Sequence, residues 1–168
     1  MSGDADPVPL VSGTGSGPTE LDAFDAALAE AGVCEYNLVE LSSVLPAGAE
    51  PAVGAPVPDW RTGELVATVL AAATGDGPVA AGIGWTLAEE GGVFYEETTA
   101  DAATCEKRLR TGLARARERR DWTWTDGVET EVVAHEPAGD RAGAAVVAAV
   151  YGPVALRDGP GTLGGRPD

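Results

Sequence analysis

The stretch that most limits what this chain can become is Tyr36-Asn37-Leu38-Val39-Glu40-Leu41-Ser42-Ser43-Val44-Leu45-Pro46. Residues 35–41 read as a β-strand. The strand runs into a serine pair, two apolar residues and a proline stop. On its own such a pair is a polar strand end with a turn behind it. Its neighbourhood gives it more weight.

Upstream, residues 21–33 have helical spacing. Thr19 is the expected N-cap, with Asp22 three residues on, and Gly32 suits the C-terminal stop. Leu21, Phe24 and Leu28 form the expected apolar stripe, and Asp25 is the acid nearest to it. Before the helix, residues 8–11 read as a short edge strand, and residues 12–17, a Gly-Ser run, as a plain loop without the lysine of a phosphate cradle. Past Pro46 comes a proline-rich segment without strand periodicity. Strands follow at 64–74, 79–87 and 93–97, the last two joined by a hairpin at 89–92. Gly82 and Gly84 mark a close backbone approach, to another sheet or to a ligand. A second helix is expected over 101–120 with Ala102, Cys105, Leu109, Leu113 and Ala116 buried. Strands at 128–135 and 142–151 complete one domain over 1–151, and 152–168 is expected to be a disordered tail. Strand runs with two helices predict an α+β fold with antiparallel sheets covered by helices.

Composition narrows the function classes. Asp and Glu number 27 against 11 Lys and Arg, a formal charge of −16. Seven of those 11 cations lie on the second helix, which leaves a nucleic-acid-binding reading open. The overall charge and the lack of interleaved aromatics oppose it. So acidic a chain with one lysine, Lys107, resembles proteins of salt-loving archaea, in which molar salt screens self-repulsion. Cys34 and Cys105 have neither disulfide nor zinc spacing and are expected to be reduced; no metal site is expected. The lone His135 could act as a base but is expected to be a structural or surface histidine. No signal peptide or membrane span is apparent, so a cytoplasmic protein is expected.

Helix, short link, Asn-Leu-aliphatic-x-aliphatic-Ser-Ser, aliphatic pair, Pro: this order resembles the pyruvoyl-dependent arginine decarboxylase family, from about residue 8 to about residue 151 and most strongly over 21–46. The resemblance implies a four-layer αββα sandwich, cleaved between Ser42 and Ser43 and assembled as a trimer of cleaved pairs with sites between protomers. It implies that Ser43 becomes a covalent pyruvoyl group, which forms a Schiff base with the substrate amine and takes up electrons. It also implies conversion of L-arginine to agmatine and carbon dioxide. Asn37 matches a family asparagine near the cut, a candidate oxyanion donor. Asp25 matches an aspartate near the substrate guanidinium. Glu96 matches the acid that protonates the product carbon, although other registers bring Tyr95 or Glu97 there. Glu96 and Glu97 point to opposite faces of a strand, so only one of them can enter a site. A pyruvoyl enzyme for another amino acid and an uncleaved, non-catalytic homologue remain as alternatives.

Overall fold

A computed structural model of the chain describes residues 7–155. In chain order the elements are β1 (Val8–Gly17), α1 (Glu20–Ala31), β2 (Asn37–Glu40), β3 (Val44–Pro46), β4 (Pro51–Val53), β5 (Leu65–Gly75), β6 (Val79–Ala88), β7 (Gly91–Thr99), α2 (Ala102–Glu118), β8 (Glu129–His135) and β9 (Ala142–Pro153). Five strands form one sheet in the order β2-β5-β9-β1-β4, and four form the other in the order β3-β7-β6-β8. Neighbours are antiparallel except the short outer strands β2 and β4, which run parallel to β5 and β1.

Two-residue alternation sorts the apolar side chains into layers. Val69, Ala71, Ala145, Val147 and Ala149 of the larger sheet meet Leu45, Ala81, Ile83, Trp85 and Phe94 of the smaller one. The opposite face of the larger sheet, with Val66, Ala144, Val146, Ala148 and Val150, takes α1. The outer face of the smaller sheet takes α2, through Cys105, Leu109, Leu113 and Ala116. The result is the αββα sandwich. Because β9 is covered on both faces, it reads as an unbroken apolar run.

Both helices rest on glycine, and four sequence expectations are corrected here. Residues 12–17 are strand, not loop, and β1 lies inside the sheet between β9 and β4. Gly13, Gly15 and Gly17 fall on one face, and α1 presses onto it. A Cβ added at Gly15 would stand 2.5 Å from the carbonyl oxygen of Ala23. So close an approach buries the small residues Ala23, Ala27 and Ala31. Leu21, expected in the stripe, is 76% exposed, while Phe24 and Leu28 only flank the core. Likewise Gly82 and Gly84 answer neither a sheet nor a ligand. They admit α2, whose Leu109 and Leu113 methyls would lie 2.9 and 2.8 Å from Cβ atoms placed there.

The ends of α1 agree with its sequence signals: the Thr19 hydroxyl accepts from Asp22 N at 3.2 Å, and Gly32 closes the helix at φ 80°. Ala102, expected to be buried in α2, is exposed at its first turn. The proline-rich segment contributes β4. Gly152 and Pro153 belong to β9, and Val154 N donates to Leu65 O at 2.8 Å, so the start of the expected tail is tied to the sheet. The rest, 156–168, lies outside the described residues.

Candidate active site

The serine pair lies where the chain passes from one sheet to the other. On the Ser42 side, β2 belongs to the five-stranded sheet, and Leu41 N donates to Thr68 O at 2.8 Å. On the Ser43 side, Phe94 N donates to Ser43 O at 2.9 Å, and β3 then pairs with β7 of the other sheet. The change of direction falls on Ser43, whose φ is +65°. It is the one non-glycine residue with positive φ among the described residues. Such a backbone costs roughly 1–3 kcal/mol and persists only where the surroundings impose it. Two sheets holding the two sides of one peptide bond provide that constraint.

Alternation along β7 decides which acid meets the serine. Phe94 points into the core between the sheets, and Tyr95 points the other way, across Gly112 of α2. Glu96 therefore returns to the serine side, and Ser43 Oγ donates to its Oε1. Glu97 lies on the α2 side, 4.0 Å from Arg108. Burial pushes the Glu96 carboxyl above the usual range; the Ser43 hydroxyl and a backbone hydrogen bond hold it down, and the charge of Glu40 adds a smaller upward push.

Tyr151, near the end of β9, was not singled out in the sequence, where it reads only as the aromatic end of an apolar strand. Its hydroxyl donates to Val44 O at 2.9 Å, and its ring meets Phe94 edge-on with centroids 6.4 Å apart. Burial, with the Glu96 charge, pushes its phenol up to about 12.

A single chain does not bring the other expected residues here. Asn37 Nδ2 donates to Gly63 O at 2.9 Å, at the end of β2 farther from Ser42. Asp25 is exposed on α1, beyond the outer face of the five-stranded sheet. His135 lies at the opposite end of β6 from Trp85, with its Nε2 2.6 Å from Ser16 Oγ. Cys34 and Cys105 are free thiols, and the described residues hold no cluster of His, Cys, Asp and Glu able to ligate a metal. Three apolar residues flanking the pair, Val39, Leu41 and Val44, are 38%, 37% and 49% exposed.

The family model of pyruvoyl-dependent arginine decarboxylases matches residues 8–155. The chain belongs to this family. Among its relatives, the pyruvoyl-dependent arginine decarboxylase of Halobacterium salinarum is 42% identical over 151 residues, covering 83% of this chain and 90% of the relative. That of Methanopyrus kandleri is 38% identical over 143 residues, covering 84% and 93%. That of Methanocaldococcus jannaschii is 32% identical over 135 residues, covering 76% and 79%. A pyruvoyl-dependent family implies a covalent pyruvoyl cofactor, and the residues present fit one. Ser43 is a serine on a strained backbone at a sheet-to-sheet crossover, with its hydroxyl on a half-buried carboxyl.

Proposed function

We propose that this chain cuts itself between Ser42 and Ser43 and, once cut, decarboxylates L-arginine to agmatine and carbon dioxide. The observation that carries the reading is the strained crossover with Ser43 Oγ held on Glu96. Ser43 Oγ attacks the carbonyl carbon of Ser42; the amide C–N bond breaks, an ester forms, and the hydroxyl proton passes to the freed nitrogen. Loss of the Ser43 Cα proton with rupture of the Cβ–Oγ bond releases Ser42 as a carboxylate and leaves dehydroalanine. Water then displaces ammonia, and the new chain start carries the pyruvoyl ketone. That ketone supplies an electron sink that no ordinary side chain has.

Glu96 is the group that delivers a proton to the substrate α-carbon after carbon dioxide leaves. Its half-burial keeps the carboxyl protonated to higher pH than an exposed glutamate, as a general acid needs. Asp25 is assigned to the guanidinium, whose planar fork a carboxylate accepts through two parallel hydrogen bonds. Asp25 and Asn37 are both exposed and stand apart from Ser43 of their own chain. Together with the exposed Val39, Leu41 and Val44, this favours a site completed by a neighbouring copy, in a trimer of cleaved chains. Asn37, with one amide hydrogen spent on Gly63, retains a second for an oxyanion there.

Three of the seven cations in 107–120 are hydrogen-bonded within the chain, which supports a structural reading of that face over a nucleic-acid surface. Arg110 is bound to Glu106 and Val128 O. Arg117 is bound to Thr86 and Asp126 O and lies over Trp124, and Arg120 is bound to Ala116 O and lies over Trp122. No helix among the described residues is long and apolar enough to cross a membrane.

The test is the intact mass of purified protein with an assay over a panel of amino acids. Two chains, 1–42 and a pyruvoyl-capped 43–168, with agmatine made from arginine, are the expected result. An uncut chain that still makes agmatine would overturn the mechanism. A cut chain that prefers another amino acid would overturn the substrate.

A further inference from the structure

We propose that Tyr151 is a positioning residue for this chemistry: its hydroxyl holds the Val44 carbonyl, aiming Ser43 before the cut and keeping the new chain start beside Glu96 after it. The inference rests on the reading of Ser42–Ser43 as the cleavage site.

β3 has three residues and pairs with β7 alone. Before cleavage the Ser42–Ser43 bond ties it to β2, and hence to the five-stranded sheet. Cleavage removes that tie from the Ser43 end at the moment this new chain start becomes the reactive end; the Pro46 end stays joined through residues 47–50 to β4 of the five-stranded sheet. Among the described residues, the side-chain hydrogen bond that still joins the five-stranded sheet to β3 is the one from Tyr151 to Val44 O, 2.9 Å long. The Ser43–Val44 segment is thus gripped at successive carbonyls: Ser43 O by Phe94 N, and Val44 O by Tyr151. The two grips brace each other, because the Tyr151 ring packs edge-on against Phe94.

The backbone around Tyr151 is shaped for this reach. Thr68 pairs with Val150 and Ala67 with Gly152, so the register slips and Tyr151 has no partner on β5. Gly152 follows at φ 136°. A bulge of this kind re-aims a side chain and is favoured beside active sites. A phenol pushed up to about 12 remains a donor over the whole working range of pH.

The experiment is Tyr151→Phe in the full chain, with self-cleavage followed on denaturing gels, kcat and KM measured on the cleaved fraction, and Tm recorded. Loss of one neutral hydrogen bond should slow cleavage by roughly 2- to 12-fold. kcat should fall with KM for arginine unchanged, and Tm should move little, because the ring stays in place. If the variant does not fold, difluorotyrosine at position 151 keeps every contact but makes the phenol more acidic. Its cleavage should then decline at alkaline pH where the parent's does not. Cleavage by Tyr151→Phe at the parent's rate, or no alkaline decline in the fluorinated chain, overturns this inference alone. A parent chain that stays uncut overturns the functional reading as well.

Discussion

Replacing Glu96 by glutamine separates the two reactions assigned to one site. The amide has the size of the carboxyl, keeps an oxygen to accept from Ser43 Oγ, and leaves the Ile83–Glu96 rung of β6 and β7 in place. Self-cleavage should therefore persist. On the proposed assignment decarboxylation loses its proton donor, a loss of about 10²- to 10⁴-fold, or about 2.7–5.4 kcal/mol of barrier. The pH dependence carries a further signature. Burial raises the Glu96 carboxyl, and the Ser43 hydroxyl is the leading influence holding it down. In the proposed cleavage that oxygen leaves with Ser42, and a new carboxylate appears close by, so Glu96 should rise further. A proton donor works in its acid form, so under this assignment the parent's rate should fall as pH rises through that raised value, and the glutamine variant should lack this limb. The same shift sets the sign for stability. A folded pKa above the unfolded one contributes stability in full below the unfolded pKa, and this is lost as pH rises through the folded pKa. Glu96→Gln should then melt no lower than the parent at neutral pH. Agmatine formation over a pH series, with gels for cleavage, makes the measurement. A rate within tenfold of the parent, or an unchanged limb, would refute the proton-donor assignment. Failure to cleave would move Glu96 to the earlier step. Glu97→Gln, on the α2 side beside Arg108, is the matched control and should leave both reactions unchanged.

Asp25→Asn should raise KM for arginine by about 10- to 150-fold, the worth of a charge-assisted hydrogen bond, with cleavage intact; unchanged kinetics would return Asp25 to an ordinary helix-edge carboxylate. Assembly and activity should require high salt, since the charge is −16 and only two ion pairs form among the described residues; an unchanged Tm and full activity in dilute buffer would refute this. Gly15→Ala should cost about 1–3 kcal/mol in denaturant unfolding, because its Cβ would press on the Ala23 carbonyl; an unchanged midpoint would mean that α1 moves away freely.

The strands at 64–74, 79–87, 128–135 and 142–151 lie within a few residues of β5, β6, β8 and β9, because apolar runs between turn signals carry their own evidence. The Gly-Ser run of β1 was illegible for the opposite reason. Glycine contributes no apolar side chain to a periodic pattern, so alternate glycines read as loop, although the missing Cβ is what lets α1 approach. The stripe of α1 failed with it. A helix seated that close buries alanine and leaves Leu21 in solvent. Tyr151 left no signal, since a bulge in β9 and a carbonyl more than a hundred residues away define its task.

The sequence by itself determined that this is an α+β chain with two helices, that a serine pair follows a strand, and that Glu96 and Glu97 face opposite ways. These are properties of near neighbours, governed by local spacing. Which of the two acids meets Ser43 was decided only by tertiary structure. The inner face of β7 is defined by α2 covering the other side and by β3 arriving at its edge, and no local pattern encodes either event. The strain at Ser43 has the same origin: the residue is turned because Leu41 is held by one sheet and Val44 by the other.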